Sequence, residues 1–417
     1  MKRADKIKGA LKEMYFWACE EFRKIAVNPA TILVLLGGIF AYGFLYNYMY
    51  QPNDVTNAPV VVVDHSKTEL SRRFIRMING TPQVNIIADG LDYTRAQDMM
   101  KQNKAVGIIY IPDRFESKIR KGEEAVIINY QSTTAFLYYL ALQKAAAFAM
   151  ENLNDAIRPD QLVFLPAEDA QALAQTPSPV KVVGKALYNY TEGYGSYLIP
   201  AVLMVIMFQT LMMVIAMVCG KERSSGSIRL YEPVLSSFGR TGRLILSKSM
   251  MYLCLYAIFS FFLLGLMPIL FDLPRIGDPL VIIEILIPFF LATSFMGLAA
   301  SVFYTDQDGP LLMIAYFSVG LIFLSGVSYP LELMPWYWRA AHYVFPAAPA
   351  TLAFVKINSM GAGIHQVDME YLTLWIQCLV YFPLACFAYR RNIKRSRPDF
   401  TPNRELPGED LRSKPNV

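Results

Sequence analysis

The sequence is short of the residues from which soluble enzymes are built. Charged side chains make up only 18% of its 417 residues, against about 25% in a soluble domain. That shortage argues against a freely soluble enzyme. It also argues against a disordered chain, which needs high charge and low hydrophobicity. The five cysteines, Cys19, Cys219, Cys254, Cys378 and Cys386, are too few and too scattered for a disulfide framework. The three histidines, His65, His342 and His365, contain no i, i+4 pair and offer no histidine-based metal site. No Gly-x-x-x-x-Gly-Lys-Ser/Thr stretch occurs, so the chain has no P-loop to cradle ATP phosphates. Gly-x-Ser-x-Gly and Cys-x-x-Cys are also missing. Catalysis, a resident cofactor or metal, and nucleic-acid binding are therefore not expected of this chain.

What the sequence does have is apolar surface: 54% hydrophobic residues, 13% aromatic, and a mean hydropathy of +0.31. The excess is clustered. Six stretches without Asp, Glu, Lys or Arg run over 25–53, 193–220, 249–271, 285–305, 309–331 and 371–389. Each approaches or exceeds the roughly 20 residues that a helix needs to cross a bilayer. The apolar segment 330–356 contains Arg339, His342, Pro346 and Pro349, a mixture that predicts a re-entrant or interfacial piece rather than a full span. The first stretch is too long for a signal-peptide core and lacks a small-x-small cleavage site, which predicts a retained anchor.

Charge sets the expected orientation. Residues 1–24 carry seven Lys/Arg against four Asp/Glu, 220–248 carry six against two, and 390–417 carry eight against four. Lys and Arg stay cytoplasmic in short flanking segments. Both termini are thus expected inside, which requires an even number of spans and suits six. The expected fold is a polytopic α-helical membrane protein with six transmembrane helices plus a re-entrant hairpin. An α/β extracytoplasmic domain is inserted between helices 1 and 2.

Along the chain, residues 1–27 read as an amphipathic helix in the cytoplasmic interface, with Leu11, Met14, Tyr15, Ala18, Phe22 and Ile25 at helical spacing. Residues 28–50 hold the first transmembrane helix, entered near Pro29. Residues 51–192 form the external insert. Its expected strands are Val60–Val63, Val84–Ala88, Val106–Ile111, Ala125–Tyr130 and Val180–Leu187. Its expected helices are Ser66–Asn79, Tyr93–Asn103 and Thr133–Ile157. That alternation predicts a partly parallel sheet, and the absence of cysteine from the insert means it folds without disulfides. Asp64, at a strand end, reads as an N-cap or strand-end acceptor rather than a metal or phosphate ligand, since no second carboxylate lies at ligand spacing. Residues 193–389 carry helices 2–6, and 390–417 form a basic cytoplasmic tail predicted to be disordered.

Two segments carry motifs. The cytoplasmic stretch 220–248 opens with Lys221-Glu222-Arg223, breaks at Gly226-Ser227 and continues through Glu232 to Lys248. The second runs Leu324-Ser325-Gly326-Val327-Ser328-Tyr329-Pro330-Leu331-Glu332-Leu333-Met334-Pro335-Trp336, with Pro346 and Pro349 beyond it. The first resembles the coupling loop of ABC-2-type exporter permeases, on Glu222, Arg223, Gly226, Ser227 and Lys248. It departs at Arg229, where the family usually has an acid, and in the early position of Pro233. The second is similar to the family's Ser-Gly…Pro…Met-Pro signature.

The resemblance covers nearly the whole chain and implies a transmembrane permease subunit of an ATP-driven exporter. It points to the subgroup with a large first external loop, as in bacterial multidrug-type permeases. It implies a second permease copy or close paralogue, and a separate ABC ATPase subunit that binds ATP and magnesium. That ATPase would be contacted at Lys221, Glu222, Arg223, Gly226, Ser227 and Glu232. A re-entrant gate would be shaped by Gly326, Pro330, Glu332 and Pro335. Gln209, Met212 and Glu284 are candidate pathway residues, and the Met-rich second span suits a hydrophobic or amphipathic drug-like cargo. Membrane lipid and a periplasmic adaptor protein complete the expected partners, in a bacterial inner membrane. An exporter of lipid or glycan, and a non-transporting sensor or scaffold, are the alternatives. An ion-driven transporter would show internal repeats and paired broken helices, which this sequence lacks.

Overall fold

A computed structural model describes residues 2–50, 54–121, 123–131, 136–163, 193–304, 306 and 309–395. The chain divides into two compact units, Met1–Gln51 with Ser196–Val417, and Pro52–Gly195.

The smaller unit is an α/β layer. Strands β1 (Ala58–Asp64), β2 (Val84–Asp89), β3 (Gly107–Ile111) and β4 (Ile128–Gln131) form one sheet in the order β2-β1-β3-β4. β1 pairs in parallel with β2 and β3, and β3 pairs antiparallel with β4. The valine run of β1 follows from its central place, because a parallel strand covered on both faces needs apolar residues at every position. Val60 and Val62 meet Phe74, Ile78, Leu142 and Ala149 on one face, while Val61 and Val63 meet Ala96, Ala105 and Ile108 on the other. The first face is covered by α3 (Glu69–Asn79) and the long, Ala-rich α6 (Phe136–Val163). The second is covered by α4 (Tyr93–Lys101), and α5 (Phe115–Arg120) follows β3.

The helix expected from Ser66 starts instead at Glu69, because Asp64 organises the preceding residues. Its Oδ1 accepts from the amides of Ser66 at 2.9 Å and Lys67 at 3.0 Å, and its Oδ2 from Ser71 Oγ at 2.6 Å. Thr68 then caps the helix reciprocally with Ser71. Asp64 is thus a strand-end acceptor. The expected strand Val180–Leu187 lies outside the described residues.

In the larger unit, α1 (Lys2–Val27) precedes α2 (Pro29–Met49). The remaining long helices are α7 (Tyr194–Ser224), α8 (Phe238–Leu270) and α9 (Pro279–Phe303, ending in a 3₁₀ turn). The short α10 (Gly309–Leu324), α11 (Trp336–His342) and α12 (Ala347–Met360) precede the long α13 (Asp368–Arg395). Five of these, α2, α7, α8, α9 and α13, are long and apolar enough to cross a membrane among the described residues. The sequence expectation is six, and the difference lies at the fifth stretch. There α10 has 16 residues, rising roughly 24 Å against a hydrocarbon core of about 30 Å. It stops before Gly326, whose φ of +85° an L side chain rarely adopts.

The expected cytoplasmic loop 220–248 is also more helical than expected. α7 runs to Ser224, a 3₁₀ helix occupies Ser227–Ser236, and α8 begins at Phe238. α2 and α8 each contain a π-helical stretch, Leu33–Ala41 and Phe261–Leu266. They meet through Phe40 and Phe262, with ring centroids 4.3 Å apart. A Cβ at Gly43 would sit 2.7 Å from Leu263 Cδ2, so glycine permits this approach.

Candidate functional site

Five elements converge on one buried group of charges: one face of α1, the last turn of α7, the 3₁₀ helix Ser227–Ser236, the early turns of α8 and the end of α13. Glu222 is 2% exposed and accepts bonds from four side chains. Its Oε1 takes Lys24 Nζ at 2.6 Å, Lys248 Nζ at 2.8 Å and Tyr231 Oη at 3.2 Å, and its Oε2 takes the Tyr389 hydroxyl. Lys248, wholly buried, also donates to Glu21 Oε2 at 2.6 Å, and Glu21 Oε1 accepts from Tyr252 Oη at 2.6 Å. Lys248 Nζ lies 5.0 Å and 5.1 Å from the ring centroids of Tyr231 and Tyr389. Two carboxylates and two ammonium groups therefore balance inside a shell of tyrosine. The balance is necessary, because a buried charge without its partner costs several kcal/mol. Burial pushes the Tyr231 hydroxyl well above its ordinary range; Lys248 pulls the other way and Glu222 adds to the rise. Tyr231 therefore stays a neutral donor.

Further bonds lock the 3₁₀ helix and its neighbours. Glu13 of α1 binds Arg240 at 2.9 Å and Arg243 at 3.1 Å, and Ser247 Oγ donates to the Met14 carbonyl at 2.9 Å. Arg390 of α13 donates to the Leu235 carbonyl at 2.9 Å and to Thr241 Oγ1 at 3.1 Å. Arg223 donates to the Val302 carbonyl at the end of α9, at 3.1 Å. Within the 3₁₀ helix, Ile228, Tyr231 and Val234 point inward, and Arg229, Leu230, Glu232 and Pro233 are exposed, Leu230 at 71%. α1 divides likewise. Glu13, Trp17, Glu21, Lys24 and Ile25 face the protein, while Leu11, Tyr15, Phe16 and Phe22 are exposed.

The segment between α10 and α12 forms a second organised region. His342 Nδ1 donates to the Leu324 carbonyl at 2.7 Å, and Gln377 Nε2 donates to the Tyr343 carbonyl at 2.8 Å. The hydroxyls of Tyr381 and Tyr197 donate to the carbonyls of Val344 and Val327. Side chains thus satisfy the carbonyls freed where the helices break, which a broken helix in an apolar setting requires. A Cβ on Gly326 would fall 2.8 Å from Leu331 Cγ.

Comparison with known proteins decides the family. The description "ABC-2 family transporter protein" fits residues 29–387, most of the chain. The chain belongs to the ABC-2 transporter family. Part of it is also similar to the linearmycin resistance permease protein LnrN of Bacillus subtilis (strain 168), at 25% identity over 108 residues. That match covers 26% of this chain and 28% of the relative's length. This ABC-2 protein is thus a multi-pass membrane protein of a transporter family, with five candidate spans among the described residues.

In this permease the residues expected to meet a partner separate into two groups. Glu222, expected on a docking surface, is instead buried and fully engaged within the chain, and Arg223 is tied to α9. Gly226, at φ +70°, turns the chain into the 3₁₀ helix, with Ser227 at its start. Lys221 and Glu232 are exposed. The gate residues Gly326, Pro330, Glu332 and Pro335 share the segment between α10 and α11, with Pro330, Glu332 and Pro335 exposed. Met212 is buried, as are Met204, Met207, Phe208 and Met217, so these side chains pack the bundle instead of presenting an adaptable surface. Gln209 is half-buried, and Glu284 is exposed early in α9, two turns past the cap Asp278.

Sequence reasoning missed Glu21, Lys24, Tyr231, Tyr252 and Tyr389 as members of the site. A usable signal was present: Glu13, Trp17, Glu21 and Lys24 recur at four, four and three residues, a second helical face beside the apolar one.

Proposed function

We propose that this permease pairs as a dimer with separate ATPase subunits and exports a hydrophobic or amphipathic drug-like molecule. The observation that carries the reading is the two-sided 3₁₀ helix Ser227–Ser236. Its exposed face, centred on Leu230, forms the docking surface, and its inner residue Tyr231 joins the buried charges. An ATPase that binds ATP and magnesium pushes on this short helix. Because the charges tie it to α1, α7, α8 and α13, the push moves several helix ends together rather than one loop. The similarity to a resistance permease supports a drug-like cargo over lipid or glycan.

The positive segments 1–24, 220–248 and 390–417 support a topology with both termini in the cytoplasm of a bacterial cell and the chain in its inner membrane. In this topology α10 completes a sixth span, 330–356 forms the re-entrant hairpin, and the α/β unit lies outside, where a periplasmic adaptor would meet it.

The test is to purify the chain with its candidate ATPase and measure ATP hydrolysis in liposomes. The complex should co-purify, and Leu230→Asp should abolish co-purification while the permease alone keeps its melting temperature. Failure of the wild-type proteins to co-purify, or an undiminished complex with Leu230→Asp, would sink the assignment.

A further inference from the structure

A cavity of about 400 Å³ opens beside the buried charges, between the end of α1 and the end of α7. Its size falls in the lower range of small-molecule sites. Arg23, Lys24 and Lys221 supply three positive charges to its wall against the single carboxylate of Glu222, which is already held by four side chains. Ser225 and Ser227 add two hydroxyls, with their Oγ atoms 2.9 Å apart. Val27 and Val218 give the cavity an apolar side.

Two features narrow the ligand. First, the excess positive charge suits a phosphate, which accepts several charge-assisted hydrogen bonds at once. Arg23 is free to turn toward one, because its pair with Glu20 is a surface contact with the arginine side chain 74% exposed and worth little. Second, the cavity sits at the ends of two candidate membrane spans, the start of α2 at Pro29 and the end of α7 at Ser224. In the proposed topology the ends of spans lie at headgroup level, where basic pockets between membrane helices hold anionic lipids. Beyond the valines, α2 exposes Leu33, Leu36 and Phe40, an apolar surface along which acyl chains would run.

We infer that this cavity binds the phosphate headgroup of an anionic lipid of the cytoplasmic leaflet, held by Arg23, Lys24 and Lys221. The leaflet assignment rests on the topology proposed above. A headgroup here shares Lys24 with Glu222, so lipid occupancy bears directly on the charge cluster and on the 3₁₀ helix that the ATPase is proposed to push.

The experiment uses the permease–ATPase complex in nanodiscs containing phosphatidylglycerol and phosphatidylcholine in equal amounts, followed by delipidation and lipid counting by native mass spectrometry. A parallel arm offers radiolabelled inorganic phosphate to the complex in pure phosphatidylcholine. Wild type should retain phosphatidylglycerol over phosphatidylcholine, and Arg23→Gln/Lys221→Gln should lose that preference by about ten-fold. Arg275→Gln, at a basic residue remote in sequence from the cavity, should keep it. Free phosphate should be retained weakly and without dependence on the double substitution. Equal retention of the two lipids by wild type, or an unchanged preference in the double variant, would overturn the site. Retention of free phosphate that the double variant abolishes, without lipid preference, would overturn the headgroup as its source. Co-purification of the ATPase from phosphatidylcholine reports on the transport reading separately, so failure of one claim is distinguishable from failure of the other.

Discussion

Lys248 bonds both buried carboxylates, at 2.6 Å to Glu21 and 2.8 Å to Glu222. Replacing it with Met should destabilise the permease by about 3–5 kcal/mol, since Glu21 would lose its ammonium partner and Glu222 would keep only Lys24. A thermal melt in detergent would register this as a large fall in midpoint, and an unchanged melt would contradict the cluster. Glu21→Gln/Lys248→Met should recover part of the loss, because Glu21→Gln removes the carboxylate that Lys248→Met strands. Glu116 offers a pH-dependent counterpart in the α/β unit. Burial alone would raise its carboxyl, but bonds from the Arg120 side chain, the Leu70 amide and Thr68 outweigh burial and hold it below its ordinary value. The folded value is the lower one, so this stabilisation is present above the unfolded value and disappears as pH falls through the folded value. Glu116→Gln should therefore cost about 1 kcal/mol near neutral pH and nothing in strong acid. Equal losses at both pH values, followed by hydrogen exchange of β1, would refute the assignment.

At the level of elements, two glycines make close approaches. Gly43 lets α2 reach α8, and Gly43→Val should force Leu263 aside and cost about 1–3 kcal/mol through overpacking. Gly326→Ala should cost about 1–2 kcal/mol, because φ of +85° and the nearby Leu331 both oppose a side chain. Melts of the two variants check both expectations, and wild-type stability in either would show that the contact yields cheaply. The elements also show why some of the structure was legible in the sequence and some was not. The valine run of β1 and the apolar stretches carry their periodicity along the chain, so they read directly. The convergence of Glu21, Glu222, Lys248 and Tyr389 joins residues from the two ends of the chain, and no local pattern encodes that meeting. Glu222 was singled out for its motif but assigned to the surface, because charge in a short loop ordinarily faces water. The methionines of α7 misled for the opposite reason: an apolar helix looks the same in sequence whether lipid, cargo or its own bundle surrounds it.

For the whole molecule, the 3₁₀ helix Ser227–Ser236 is the proposed contact through which a partner ATPase acts on the bundle. Its outward face is open and its inward face is bonded to residues of four long helices. The measurement that tests this most directly is site-specific cross-linking in a background with the five native cysteines replaced. Leu230→Cys, on the exposed face, should form a covalent adduct with the ATPase subunit in membranes, with a yield that changes when ATP is added. Val234→Cys, which points into the protein, should form none. An adduct at both positions, or at neither while the complex remains assembled, would contradict the proposed contact.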